Sequence, residues 1–269
     1  MNKLVKHSGV WSSYAQLAAA LAHSGLSSDQ ASKYVRRLAE LLPQPSVSPA
    51  CSRLVVGLGA GRCGSTTLTR IVSGIRNACA THENPPLVTW PPTEAQRAVH
   101  FARFRLLLFH YQLVCDVAHW WLNMAEHVFA AFPTSLAIGL LRDEEACAKS
   151  FAAVKGNGPG SLNHWCAGGA WRASAWDASY PTYPVDPSDQ RPPDEIRLDQ
   201  ITQYVSDYNA ALRAMARTHA GRVMLVHTED LSAPATQEQI FQFVGMPGQY
   251  CDAVLNAGTL EDGRHAFQL

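Results

Sequence analysis

The sequence carries no surplus of either charge: Lys+Arg and Asp+Glu each number 22 in 269 residues, for a formal net charge of zero. A balanced chain has no electrostatic footprint for nucleic acid, so any anion must be held by a local arrangement. Charged residues are also scarce, at 16% against 47% hydrophobic, which is the composition of a folded globule and not of a disordered chain. No apolar run approaches membrane-spanning length, and the N-terminus, with Lys3 and Lys6, lacks the continuous apolar segment of a leader. The seven cysteines are scattered, odd in number and without a C-x-x-C pair, which leaves little basis for a disulfide framework or a zinc site. These absences lead to the expectation of a cytoplasmic protein in a reducing environment that uses no metal.

What the chain does have is one dense stretch, Ser52 to Thr69, reading SRLVVGLGAGRCGSTTLT. Arg53 to Leu58 is a valine-rich apolar run, glycines stand at 57, 59, 61 and 64, and Leu68, Ile71, Val72 and Ile75 recur at helical spacing. This predicts a strand, a glycine loop and a helix. Glycines permit positive φ and close backbone approach, and the first N–H groups of a helix have no partner within it, so the junction is a socket for phosphate or sulfate.

Three readings of the socket follow. A Walker A loop needs Lys before its Ser/Thr, and Ser65 occupies that place. Gly59, Gly61 and Gly64 also satisfy G-x-G-x-x-G, the dinucleotide fingerprint of a nicotinamide oxidoreductase, with Glu83 near the place of the ribose-binding acid; THENPP around it, however, does not read as the end of a second parallel strand. The third reading is a resemblance. Arg62-Cys63-Gly64-Ser65-Thr66-Thr67-Leu68 resembles the R-S-G-T-T-L pattern with which sulfotransferases grip the 5′-phosphosulfate of PAPS (3′-phosphoadenosine 5′-phosphosulfate), Cys63 standing where Ser is usual.

Two further segments resemble the same family. A predicted strand at Ser135 to Leu141 is followed by Arg142-Asp143-Glu144-Glu145-Ala146-Cys147-Ala148-Lys149-Ser150, similar to the family's strand–R-[DN]-P-x-x-x-x-x-S, whose Arg and Ser bind the 3′-phosphate. An Arg leaving a strand end and a Ser two helical turns on fall on the same side. Arg222 to His227 reads as a strand, followed by Glu229-Asp230-Leu231, a helix with Ile240, Phe241 and Val244, and Gly245-Met246-Pro247, similar to the family's closing block. In tyrosylprotein and heparan sulfotransferases a Glu about twenty residues beyond the loop's basic residue is the general base, which the resemblance carries to Glu83; His82 is the alternative, because cytosolic members use a His. Both are expected on a loop, since Pro85-Pro86 ends regular structure.

The remaining chain reads around these segments. Residues 1–50 predict a helical extension, with Trp11, Tyr14, Leu17, Ala18 and Leu21 on one face and Tyr34, Leu38 and Leu41 on another, ending in the breaker PQPSVSP. Gln96 to Gln112 reads as an amphipathic helix and Leu113 to Val117 as a buried strand, whose Asp116 stands either where α/β folds place ligands or as a cap for the next helix. That helix begins at His119-Trp120-Trp121, and another runs from Ile196 to Thr218. Residues 155–193 form an irregular segment with Trp165, Trp171, Trp176, Tyr180 and Tyr183, too aromatic for plain disorder and expected as an acceptor-side loop. Arg264 in the tail is expected to be solvated.

Together these imply an α/β fold, a parallel sheet flanked by helices in a P-loop-like sulfotransferase architecture, with 51–269 as the sulfotransferase domain. The resemblance implies sulfuryl transfer from PAPS to an acceptor hydroxyl on a small molecule, glycan or lipid, releasing PAP (3′-phosphoadenosine 5′-phosphate). Gly61, Arg62, Cys63, Gly64, Ser65, Thr66 and Thr67 would hold the 5′-phosphosulfate, and Arg142 with Ser150 the 3′-phosphate. Arg62 would also stabilise charge on the leaving oxygen, and Glu83 or His82 would serve as base. A nicotinamide oxidoreductase and a catalytically silent nucleotide-binding module are the alternatives.

Overall fold

The computed structural model describes residues 16–22, 27, 31, 34, 35, 38, 52–84, 93–154 and 187–248. In chain order the elements are β1 (Arg53–Leu58), α1 (Ser65–Ser73), β2 (Ala78–His82), α2 (Glu94–Leu108), β3 (Leu113–Val117), α3 (Trp121–Ala131), β4 (Leu136–Leu141), α4 (Glu144–Val154), α5 (Pro193–Thr218), β5 (Val223–His227), a 3-10 turn at Thr228–Asp230 and α6 (Pro234–Val244). The strands form one sheet in the order β2-β3-β1-β4-β5, and every pairing is parallel.

Side-chain alternation builds three layers. Val55, Cys115, Val117, Ile138 and Leu140 face one side and pack on α1 and α6 through Leu68, Ile71, Ile240 and Phe241. Leu54, Val56, Val114 and Ala137 face the other, covered by α2, α3, α4 and α5 together with Leu17, Leu21, Tyr34 and Leu38. Covered on both faces, β1 and β3 are largely apolar, Asp116 being the buried exception, and they are buried along nearly their whole length. Helix starts use local chemistry: Thr93 and Gln96 form a reciprocal capping box on α2, and Pro193 opens α5.

The structure corrects the loop expected at His82. Ala78–His82 is a strand, so His82 is a strand residue and only Glu83 lies beyond it. The run Ala-Cys-Ala-Thr-His is poor in β-branched residues, and as an edge strand β2 needs pairing on one side only, which β3 supplies. The new strand also bears on the dinucleotide reading. In a Rossmann sheet β2 lies beside β1, whereas here β3 stands between them, which moves Glu83 one strand farther from the glycine loop. His82, Val117 and Gly57 lie in one register row, so the segments after β1, β2 and β3 emerge at the same edge. Of the expected aromatic segment, residues 155–186 lie outside the described residues, as does Arg264.

Asp116 is neither a ligand nor a cap. It is fully buried, accepts from Trp121 Nε1 at 2.9 Å and Thr81 Oγ1 at 2.5 Å, and lies 3.6 Å from Arg103 NH2 on α2. Burial raises its carboxyl above the usual range, opposed by Arg103 and these donors. The pair also grips the residue after Glu83, because the Asn84 N–H donates to Asp116 at 3.4 Å and Arg103 NH1 donates to the Asn84 carbonyl at 3.2 Å.

Removing one member strands the other charge inside the protein. Arg103→Met is expected to cost about 3–5 kcal/mol in urea unfolding, and Asp116→Leu a similar amount. The double variant should cost clearly less than the sum; additive losses would show that the two groups are not coupled.

Candidate functional site

The loop between β1 and α1 owes its shape to its carbonyls. The Ala60 carbonyl accepts from Tyr204 OH on α5 at 2.9 Å, that of Gly61 from Cys147 Sγ on α4 at 3.3 Å, and that of Arg62 from Arg142 NH1 beyond β4. Thr228 Oγ1, after β5, lies 2.7 Å from the Cys63 carbonyl, and the Leu68 N–H donates to that of Gly64 at 2.9 Å. In a trans peptide the N–H points opposite to the carbonyl, so the N–H groups of Arg62, Gly64 and Ser65 turn away from these donors. Left-handed backbone at Gly61 (φ 95°), Arg62 (φ 52°) and Gly64 (φ 83°) makes the turn, and a Cβ on Gly64 would lie 2.7 Å from Leu231. Helix α1 has no side-chain cap and no acid in its first turn, which leaves its positive end suited to an anion.

The side chains of the loop divide. Cys63 and Thr67, expected among the anion ligands, are 1% and 3% exposed and turn inward. Burial pushes the Cys63 thiol up to about 11, so it is a neutral packing group and contributes to the socket only through its backbone. Ser65 and Thr66 remain accessible.

Three segments far apart in sequence meet here. Arg62 Nε donates to Ser150 Oγ at 3.2 Å, Arg142 holds the Arg62 carbonyl, and Arg142 Nε is 3.9 Å from the exposed carboxylate of Glu229. Asn209 on α5 fixes Arg142 from behind by donating to its carbonyl at 3.0 Å. Burial, and then the neighbouring Arg142 guanidinium, lower the Arg62 pKa from its ordinary value. Two cations that feel each other's charge favour an anion beside them.

Glu83 and His82 part company although adjacent. His82 Nε2 is 2.8 Å from Ser65 Oγ, at the foot of α1. Glu83 has left-handed backbone (φ 47°), rare for a non-glycine residue, and its N–H is held by the Val117 carbonyl at 2.9 Å. Its half-exposed carboxylate faces His119, with Oε1 3.6 Å from Nδ1. His119 was legible only as the start of a helix; its role as neighbour of Glu83 depends on β2 pairing with β3, which brings the two strand ends together. Behind it, Tyr208 OH donates to the His119 carbonyl at 2.6 Å.

No protein-family profile and no curated protein matches this sequence. Among solved structures the chain is similar to the sulfotransferase domain of the curacin biosynthetic pathway (13% identity, TM-score 0.47, covering 74% of this chain and 75% of that one). It is also similar to the sulfotransferase domain of a Synechococcus olefin synthase (15%, TM-score 0.44, 80% of each chain) and to a sulfotransferase from Alicyclobacillus acidocaldarius (15%, TM-score 0.44, 77% and 86%). These likenesses are distant, and what the site can do follows from its own residues.

Proposed function

We propose that this chain is a sulfotransferase that moves the sulfuryl group of PAPS to an acceptor hydroxyl. One observation carries the reading: Arg62 and Arg142, two guanidiniums that oppose each other's charge, are held together with Ser150 beside a loop whose carbonyls are bound on the inner side. That arrangement fits a nucleotide phosphorylated at both ends, with the loop and α1 taking the 5′ group and Arg142 with Ser150 taking the 3′-phosphate. The strand order speaks against the nicotinamide alternative, which would leave Arg142 and Ser150 without a task.

PAPS would supply an activated sulfuryl group on a phosphate leaving group. Within the chain, Glu83 takes the proton from the acceptor hydroxyl as its oxygen attacks in line, and His119, beside that carboxylate, orients it. Arg62 and the loop N–H groups stabilise charge as it develops on the leaving oxygen. The left-handed backbone at Glu83 is held by the Val117 carbonyl on one side and by the clamp on Asn84 on the other, so the base has little freedom to swing away.

Calorimetric titration with PAP, 5′-AMP, ATP and NADH tests the nucleotide: PAP should bind most tightly, and a preference for NADH would overturn the reading. Arg142→Ala should weaken PAP by about 2–4 kcal/mol more than it weakens 5′-AMP, whose smaller loss comes from the released Arg62 carbonyl. Equal losses for both ligands would remove Arg142 from the 3′-phosphate site.

Chemistry is separated from binding at Glu83. Glu83→Gln should lower transfer from radiolabelled PAPS to phenol, sugar or lipid acceptors about 10²–10⁴-fold with PAP affinity unchanged. Full turnover in Glu83→Gln, with loss in His82→Ala that persists at saturating PAPS, would make His82 the base; full turnover in both would leave the group without a proton acceptor among these residues.

A further inference from the structure

Ser65 stands at the position where a Walker-type loop carries its lysine, so the socket has no fixed cation there. Arg62 and Arg142 keep other guanidinium donors for a ligand while Arg62 Nε is engaged with Ser150 and Arg142 NH1 with the Arg62 carbonyl, but neither is bonded to Ser65. What reaches Ser65 is an imidazole, with His82 Nε2 2.8 Å from its hydroxyl oxygen. Strand alternation explains this. Cys79 and Thr81 face the α2–α5 side, Ala78 and Ala80 pack on the α1 side, and His82 follows them there.

The hydrogen bond can run two ways. If His82 accepts at Nε2, the Ser65 proton is spent on the imidazole, and a socket anion meets only oxygen lone pairs. If Nε2 carries a proton, His82 donates to Ser65 and frees the hydroxyl proton for the anion. An anion therefore favours protonation at Nε2, and its charge favours the doubly protonated ring over the neutral one.

We infer that His82 is the conditional cation of the socket: a proton from solvent enters its ring as the 5′ group of the nucleotide binds, and Ser65 transmits that charge to the ligand. This rests on the sulfotransferase reading and gives His82 a binding task distinct from that of Glu83. The cations among the groups near the ring oppose a charged imidazole until an anion binds, which makes the proton conditional on the ligand. Helix α1 contributes Ser65 near the ring and Arg70 at its opposite end, the loop contributes Arg62, and β3 contributes Asp116 on the other face of the sheet, tied to Trp121 and Thr81. Glu83, next in the chain, has its carboxylate beside His119 of the β3–α3 turn. The sign follows: a ring whose affinity for protons rises on binding makes nucleotide affinity fall as pH is raised through the imidazole range, about pH 5 to 8.

The test is PAP calorimetry at one pH in two buffers of different ionisation enthalpy, which counts protons taken up. Wild type should take up more protons than His82→Gln, whose amide can donate to Ser65 but cannot gain charge; proton changes of PAP itself are common to both. Ser65→Ala should lose the same uptake, and the loss of PAP affinity in His82→Gln should be roughly 10-fold near pH 6 and should shrink as pH is raised toward 8.5. Nitrogen NMR of the wild-type imidazole, which needs no variant, should show His82 gaining a proton as PAP is added. If PAP binds with equal uptake in wild type and His82→Gln, or the ring stays neutral, the inference is overturned while the sulfotransferase reading stands. If PAP does not bind wild type at all, the reading itself fails and the inference falls with it.

Discussion

Everything at this edge of the sheet depends on which way five peptide carbonyls point. A glycine-rich loop has many conformations, and fixing one costs about 1–2 kcal/mol per residue in backbone entropy. Here the cost is offset by donors from α5, α4, the end of β4, the turn after β5 and α1 itself, each bound to a different carbonyl of Ala60 through Gly64. No local segment could do this alone. Tyr204 is 144 residues from Ala60 and Thr228 is 165 from Cys63, so the loop takes this shape only once the sheet has closed.

Electrostatics around the loop follow a similar division between what is buried and what is left open. The Arg103–Asp116 pair is wholly buried and balances its own charge, and its service to the site is mechanical, holding Asn84 beside Glu83. Arg62 and Arg142 are partly accessible and face each other's charge, with the exposed Glu229 as a distant counterion. A buried pair of opposite sign asks nothing of a ligand, whereas an accessible pair of like sign gains from one. The same contrast separates Cys63, buried and neutral, from Ser65, two residues on and accessible.

The end of β2 shows how a period of two distributes tasks. Successive strand residues point to opposite faces, so His82 reaches α1 and the socket, and the left-handed turn at Glu83 sends its carboxylate to His119. Two neighbouring titratable groups thereby meet different partners. Read from the sequence, they were alternatives for one role; held by the sheet, they stand at two places.

The amino-acid sequence by itself determined the strand–loop–helix at Arg53 to Ser73, the apolar strands β1, β3 and β4, the long α5 and the parallel α/β class, because each rests on local period, glycine placement and short-range propensity. It did not determine β2, whose Ala-Cys-Ala-Thr-His run becomes a strand only through pairing with β3, nor the burial of Asp116, Cys63 and Thr67, which depends on what packs over them. The meeting of Arg62 with Ser150, of His82 with Ser65 and of Glu83 with His119 was likewise decided by tertiary structure. The reason is physical: spacing along a chain fixes which face of an element a residue occupies, but the neighbour across that face is set by strand order, and the order β2-β3-β1-β4-β5 is a property of the assembled sheet.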